Sequence, residues 1–169
     1  MVISLKELAR APQQTICFDY TMDLSKEELN FEFPFKEPVK IIGEIEERLD
    51  AVSLTADIEA TVTTRCARCN KTVHYEKIVP VSFILSKDLD RSEMDDIIIL
   101  DSDSVDLDEI MRSELILDME SSVLCKEDCR GLCPKCGSDL NEGECGCNRR
   151  EVDPRLAKLQ ALLGNTEIK

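Results

Sequence analysis

Eight of the nine cysteines in this 169-residue chain fall into four close pairs: Cys66 with Cys69, Cys125 with Cys129, Cys133 with Cys136, and Cys145 with Cys147. A thiolate is both a nucleophile and a soft metal ligand, so the pairs admit two chemistries, metal binding and thiol–disulfide exchange. The two-residue gaps of Cys66-Ala67-Arg68-Cys69 and Cys133-Pro134-Lys135-Cys136 let a single turn present two sulfurs to a tetrahedral ion. Gly137 directly after the second turn can take the positive φ that such turns use. Cys145-Gly146-Cys147 chelates only across a bend, because alternate side chains of a strand point to opposite sides, and Gly146 permits that bend. Redox Cys-x-x-Cys motifs instead open a helix after a strand, where the helix terminus lowers a thiol pKa. Neither turn here has that context: the first lies between two strand-like runs and the second leads into Gly-Ser-Asp-Leu-Asn-Glu-Gly. Metal binding by all eight is therefore expected, with two structural zinc ions preferred to iron–sulfur clusters.

Two groupings fit the spacing. The favoured one closes the shorter loop, with Cys133, Cys136, Cys145 and Cys147 in one site and Cys66, Cys69, Cys125 and Cys129 in the other. The rival joins the two Cys-x-x-Cys turns, Cys66, Cys69, Cys133 and Cys136, and leaves the other four for a second ion. Spacing alone does not choose. Ordering the 23 residues from Cys125 to Cys147 costs roughly 1–2 kcal/mol each, while a structural zinc ion supplies about 10–16 kcal/mol. One ion cannot hold a segment whose apolar residues are only Leu132 and Leu140. The segment is expected to dock on the rest of the chain, and a site shared with the Cys66 turn would do this. Cys17 is the leftover thiol, on the polar side of a strand, and reads as incidental. The single histidine, His74, reads as a strand residue. Catalytic zinc keeps an open position beside histidine, carboxylate or water, and no phosphate-cradling glycine loop or nucleophile elbow is present. The expectation is a protein that is not an enzyme and has no small-molecule substrate; a thiol redox protein is the third-ranked reading.

The elements that must position these sulfurs are mostly strands. TICFDYTMDL alternates, with Ile16, Phe18, Tyr20, Met22 and Leu24 on one face. VKIIGEIEERLD, AVSLTADIEATVTT and NKTVHYEKIVPVSFIL read as three more strands, and residues 39–85 as an antiparallel meander with Cys66–Cys69 at a hairpin tip. Leu54, Ala56, Ile58, Ala60 and Val62 should share its buried face. Ile97–Leu100 suggests one further strand. The spacing of Ser4 and Glu7 predicts a helix to about Ala11, before Pro12, and Leu107, Ile110, Met111 and Leu115 predict one over 106–120. Asp153-Pro154 with Leu156, Leu159 and Leu163 predicts a last helix, stopped at Gly164. The fold class is α+β: a mainly antiparallel β meander with short helices and a Cys-rich, zinc-binding C-terminal segment docked on it. Residues 1–120 form the β-rich core and 121–169 the Cys-rich segment with its amphipathic helix.

Charge is segregated. The chain carries a formal −14, and residues 87–120 hold thirteen acids against three bases. Nucleic-acid binding depends on Lys and Arg releasing counterions from phosphate, so this face reads as a solvated surface or as a docking surface for a basic partner. The N-terminus lacks a secretory signal, and no apolar run is long enough to span a membrane. A cytoplasmic location, where thiols stay reduced, is expected.

The stretch CRGLCPKCGSDLN, then CGC and DPRLAKL, together with the upstream CARCN hairpin, resembles the large ribosomal RNA subunit accumulation (YceD-like) family of bacteria and plastids. The resemblance covers roughly residues 15–163. It implies a non-enzymatic role in maturation or accumulation of the 23S RNA of the large ribosomal subunit, and it supplies no ligand list. The implied partners are pre-ribosomal large-subunit RNA, a basic ribosomal protein, or both. The bases able to touch RNA are Arg65, Arg68, Lys71 and Lys77 around the first turn, and Arg149, Arg150, Arg155 and Lys158 after the last cysteine. The competing reading of these bases is that they balance neighbouring acids. The competing function is a protein-only adaptor or chaperone for a basic partner.

Overall fold

The computed structural model describes residues 1–48, 51–86 and 97–147. Seven strands and two α-helices occur among them: β1 (Val2–Ser4), α1 (Leu5–Leu8), β2 (Thr15–Met22), β3 (Val39–Arg48), β4 (Ala51–Arg65), β5 (Thr72–Ser86), β6 (Ile97–Ile99), β7 (Ser104–Asp106) and α2 (Leu107–Leu117). The main sheet has the order β2-β3-β4-β5-β6, and β1 pairs with β7 in a separate two-stranded ribbon. Strands β3 to β5 form the expected antiparallel meander, and β2 extends it by pairing with β3. Strand β6 differs, since it runs parallel to β5, with Leu85 opposite Ile98. A three-residue isoleucine run carries no directional signal, so only the topology reveals it.

Register explains why the meander holds one face to the core. Three rungs cross it: Ile16–Ile45–Leu54–Phe83, Phe18–Gly43–Ala56–Val81 and Tyr20–Ile41–Ile58–Val79. A strand's side-chain period of two keeps each rung on one side of the sheet. Leu54, Ala56, Ile58, Ala60 and Val62 are all buried, as their alternation requires. Helix α2 covers this face with Leu107, Met111 and Leu115, which are fully buried in the same cluster. Asp106 caps it, its carboxylate accepting from the Asp108 N–H at 3.1 Å.

Helix α1 is shorter than its sequence suggests. Ser4 caps it by accepting from the Lys6 N–H at 3.3 Å, but the helix ends at Leu8. Ala11, before Pro12, is extended with ψ 152°, as the clash with the proline ring demands. Ribbon strands β1 and β7, three residues each, lie below the length at which periodicity can be read. The expected helix after Asp153-Pro154 lies outside the described residues.

Gly43 leaves no room for a side chain between β3 and β4. A Cβ there would lie 2.4 Å from the Thr55 carbonyl oxygen and 2.6 Å from the Ala56 Cβ, both in the middle of the sheet. Gly43→Val is expected to cost about 1–3 kcal/mol by overpacking. In urea titration this reads as a lower midpoint with an unchanged slope.

Candidate metal centres

The β4–β5 hairpin tip and the loops after α2 bring the eight paired cysteines into two groups. Cys66, Cys69, Cys125 and Cys129 form the first, and Cys133, Cys136, Cys145 and Cys147 the second; within each, all four sulfurs lie within 4.8 Å of one another. This is the grouping by the shorter loop, and the rival pairing of the two Cys-x-x-Cys turns is not the one adopted. A tetrahedral ion with metal–sulfur bonds of about 2.3 Å would set its sulfurs about 3.8 Å apart. The Cys66–Cys129 and Cys69–Cys125 sulfurs stand 3.7 and 3.5 Å apart. The first donor set therefore fits one metal ion, and the second, its sulfurs also within 4.8 Å of one another, could hold another.

The two Cys-x-x-Cys turns are built alike. In the first, the Cys66 N–H donates to the Lys71 carbonyl at 2.8 Å and the Asn70 N–H to the Cys66 carbonyl at 2.9 Å. In the second, the Cys133 N–H donates to the Ser138 carbonyl and the Gly137 N–H to the Cys133 carbonyl, both at 2.8 Å. Asn70 (φ 59°) and Gly137 (φ 75°) occupy the same left-handed position. Asparagine is the non-glycine residue that tolerates it best. Sequence reasoning credited Gly137 alone, and the missed signal was the asparagine directly after Cys69. Gly146, between Cys145 and Cys147, makes the required bend at φ 67°.

Without a metal the sulfurs hold unequal protons. Loss of water contact opposes ionisation of Cys66, but backbone groups of Cys125, Cys69 and Arg68 outweigh it and bring the thiol down to about 6. Cys125 is pushed up to about 12, first by its bond to the Cys69 sulfur and then by burial. In the second group the Ser138 hydroxyl and backbone bring Cys136 down to about 6. Cys147 is pushed up to about 12 by Cys136 and Cys145. Four sulfurs this close cannot all ionise without a compensating cation, and a divalent ion removes the conflict.

A second layer of contacts binds the groups to each other. The Arg68 guanidinium donates to the Cys129 carbonyl at 2.8 Å, and the Arg68 carbonyl accepts from the Leu132 N–H at 3.1 Å. Gly131 (φ 72°) lies against this carbonyl, where a Cβ would come within 2.9 Å of the oxygen. Lys71 reaches from the first turn to Asp139 at 2.7 Å and Glu142 at 2.9 Å, beyond the second. Asn141 accepts from the Arg130 N–H at 2.8 Å and directs its amide at the Cys129 sulfur at 3.5 Å. The Cys125–Cys147 segment is thus docked on the sheet.

The expected RNA-facing bases have other occupations. Arg65 pairs with Glu32 at 3.1 Å. Arg68 and Lys71 make the contacts just described. Lys77 points to the α2 side of the sheet, where it is only 12% exposed and pairs with Asp118 at 2.8 Å. Arg149, Arg150, Arg155 and Lys158 lie outside the described residues. His74 belongs to neither group and bonds Thr63 through Nδ1 at 2.9 Å. Cys17 is exposed, with its thiol 3.9 Å from the Glu44 carboxylate.

A meander whose hairpin tip is tied to a C-terminal loop segment by one all-cysteine group, with a second such group inside that segment, defines a small, cysteine-clamped α+β protein able to hold metal. The chain belongs to the family described as large ribosomal RNA subunit accumulation protein YceD, which matches residues 54–163, well over half of its length. An uncharacterized protein of Bacillus subtilis, YlbN, is 28% identical to it over 163 residues, 95% of each chain. An uncharacterized protein of Mycobacterium tuberculosis is 30% identical over 124 residues, 71% of this chain and 59% of that one. The chloroplastic large ribosomal RNA subunit accumulation protein YCED homolog 1 of Arabidopsis thaliana is 21% identical over 153 residues, 72% of this chain and 47% of that one. No solved structure matches.

The Lys71–Asp139 pair yields a test of the docking. The lysine, first, and the Asn141 backbone hold the Asp139 carboxyl down to about 2. A carboxyl lowered on folding contributes in full above its ordinary value near 4 and loses the contribution only as the pH falls towards 2. Asp139→Asn at neutral pH should therefore loosen the second group from the first. Faster amide hydrogen exchange at Leu132 and Leu140, with exchange in β3 unchanged, is the expected readout.

Proposed function

We propose that this chain is a non-enzymatic ribosome-biogenesis factor of the cytoplasm that supports accumulation of large-subunit ribosomal RNA and is held in shape by two structural zinc ions. Family membership supports the role, since the family's description names accumulation of the large ribosomal RNA subunit. The observation that carries the structural part is the donor set, four sulfurs in each group, with backbone and side-chain bonds tying both to the sheet. Closed four-sulfur sites are the structural kind of zinc site, whereas catalytic ones leave a position for water or substrate. Sulfurs within 4.8 Å of one another leave room for one ion; a cluster, with several atoms between its thiolates, needs a wider cage. Nine cysteines without a disulfide suit a reducing compartment. No helix among the described residues is long and apolar enough to cross a membrane.

The engaged bases favour a basic protein of the large subunit as the direct partner. Arg65, Arg68, Lys71 and Lys77 are committed to Glu32, Cys129, Asp139 with Glu142, and Asp118, while the chain as a whole carries −14. Such a surface attracts polycations and repels phosphate. Direct contact with pre-ribosomal RNA through Arg149, Arg150, Arg155 and Lys158 is the second reading, favoured by the family's link to RNA accumulation.

Two measurements check these readings. Native mass spectrometry of protein purified without chelator should find two zinc ions per chain, and Cys145→Ser should leave one. Zinc binding to the first group must displace at least the protons of Cys69 and Cys125, whose thiols are both raised. Affinity should then rise with pH, by about 100-fold per unit for two protons near neutrality, and calorimetry in buffers of different ionisation enthalpy should show the release. For the partner, association with large-subunit precursors should survive RNase and be lost near 1 M salt, where the screening length is about 3 Å. Loss on RNase treatment would favour the RNA reading.

A further inference from the structure

Leu29 and Glu32 face each other across a two-residue turn, bonded in both directions: the Leu29 N–H to the Glu32 carbonyl at 2.8 Å, and the Glu32 N–H to the Leu29 carbonyl at 3.0 Å. Between them Asn30 and Phe31 have φ of 52° and 64°. Two successive positive φ values are those of a type I′ turn, for which Asn-Gly is the favoured pair. Asn30 fits that preference. Phe31 does not: a bulky residue stands in the left-handed region where glycine costs nothing. Its side chain gains nothing from the fold in return, because Phe31 is 95% exposed. The turn requires the positive φ but not a phenylalanine, and a bulky exposed side chain kept where glycine would spare the strain points to a contact outside the chain.

The turn is held rigidly in place. The Glu32 carboxylate accepts from the Thr64 hydroxyl at 3.2 Å and pairs with Arg65 at 3.1 Å. The Pro34 carbonyl accepts from the Thr63 N–H at 2.9 Å, and buried Phe35 bridges to Val62. Beside the turn lies a cavity of about 210 Å³ lined by Leu29, Pro34, Ile116, Met119, Glu32 and Glu120, among others. Phe33 is 51% exposed, and Leu117, next to Ile116 on α2, is 78% exposed. A projecting aromatic thus stands beside a recess walled equally by apolar and polar residues. Glu28 is exposed on one flank and Glu120 lines the recess. Arg65 is paired with Glu32 and Arg112 with Glu27, while exposed Lys26 and Lys36 are outnumbered by exposed Glu28, Glu37 and Glu120.

We propose that the Leu29–Pro34 turn docks a basic protein segment, with the Phe31 ring entering an apolar pocket of that partner and the adjacent recess receiving one of the partner's aliphatic side chains. The occupant is a protein because carboxylates border the recess and repel a phosphate backbone, while they complement lysine and arginine. The proposal rests on the reading of this chain as a large-subunit biogenesis factor with a basic protein partner, and it locates the surface for that partner.

The test uses the full-length, zinc-loaded chain and two probes: RNA-free total protein from large ribosomal subunits, and naked large-subunit rRNA. Phe31→Gly and Phe31→Asn both tolerate the positive φ, and Ile78→Ser, an exposed apolar residue on β5, serves as the control. The expected result is a melting temperature equal to or above wild type for both Phe31 variants, retention of basic large-subunit proteins reduced about tenfold or more, and an unchanged control. Undiminished retention by both variants would overturn the docking role while leaving the biogenesis reading intact. A lowered melting temperature would assign the ring to the fold instead. Loss confined to rRNA binding would make Phe31 a base-stacking residue and overturn the protein partner. Failure of wild type to retain any large-subunit protein would overturn the underlying reading and this proposal together.

Discussion

The contact on which the rest of the C-terminal structure depends is the meeting of the Cys66–Cys69 turn with Cys125 and Cys129, more than fifty residues away in sequence. The residues from Cys125 to Cys147 contribute to the buried set, besides Gly131, only Leu140 and the two cysteines Cys129 and Cys133. Apolar burial at ~25 cal/mol per Å² from one leucine cannot order twenty-odd residues. The order has to come from bonds that reach the sheet, and the first four-sulfur group supplies the shortest route. Without an ion, this arrangement sets one thiol ready to ionise near 6 against another held at about 12. The same proximity that makes a tetrahedral ligand set makes an uncompensated set unfavourable. Where a metal ion fills the site, folding of the segment and filling of the site become one equilibrium.

The second group is built from the same part as the first and then attached to it. Both turns use a cysteine, a two-residue gap, a second cysteine and a left-handed residue, with the same pair of backbone bonds closing each. The attachment uses the interior of the first turn: Arg68, one of its two gap residues, offers its guanidinium to the Cys129 carbonyl and its own carbonyl to the Leu132 amide. That second bond needs the close approach that only Gly131 allows. The gap residues of a Cys-x-x-Cys turn are often treated as spacers. Here one of them carries the junction between the two centres, and Lys71 just beyond supplies its ionic half.

How much of this could be read from sequence follows the range of each interaction. The meander was legible because Leu54, Ala56, Ile58, Ala60 and Val62 repeat with the period of a strand and a register fixed by neighbours. Helix α2 was legible from Leu107, Met111 and Leu115. The pairing of the cysteines was legible from their spacing, and the choice between groupings leaned the right way on loop length. The direction of β6 was not legible, nor were β1 and β7, since three residues hold no period. Least legible were the bases. Arg65, Arg68, Lys71 and Lys77 share a neighbourhood in sequence, which suggests a common surface. Their partners Glu32, Cys129, Asp139 and Asp118 come from four distant segments, and no local pattern announces them.

That last misfit bears on how an acidic protein can serve the accumulation of an RNA. Lys77 shows the logic most plainly. It occupies an inward position of β5, where an apolar residue would be expected, and neutralises Asp118 at the C-terminal end of α2. The carbonyl end of a helix disfavours a carboxylate, and a lysine beside it offsets both. Much of the positive charge in the described part of the chain thus holds acids and carbonyls in place, and the excess of acids over bases leaves the chain negative. A protein with that surplus approaches a ribosomal particle most readily through components that carry the opposite sign. Long-range attraction of this kind sets encounter rate and orientation, while an apolar anchor sets residence time. A strained, exposed phenylalanine on a pinned turn, next to a recess of mixed apolar and acidic lining, brings an apolar anchor and negative charge to one face of the fold.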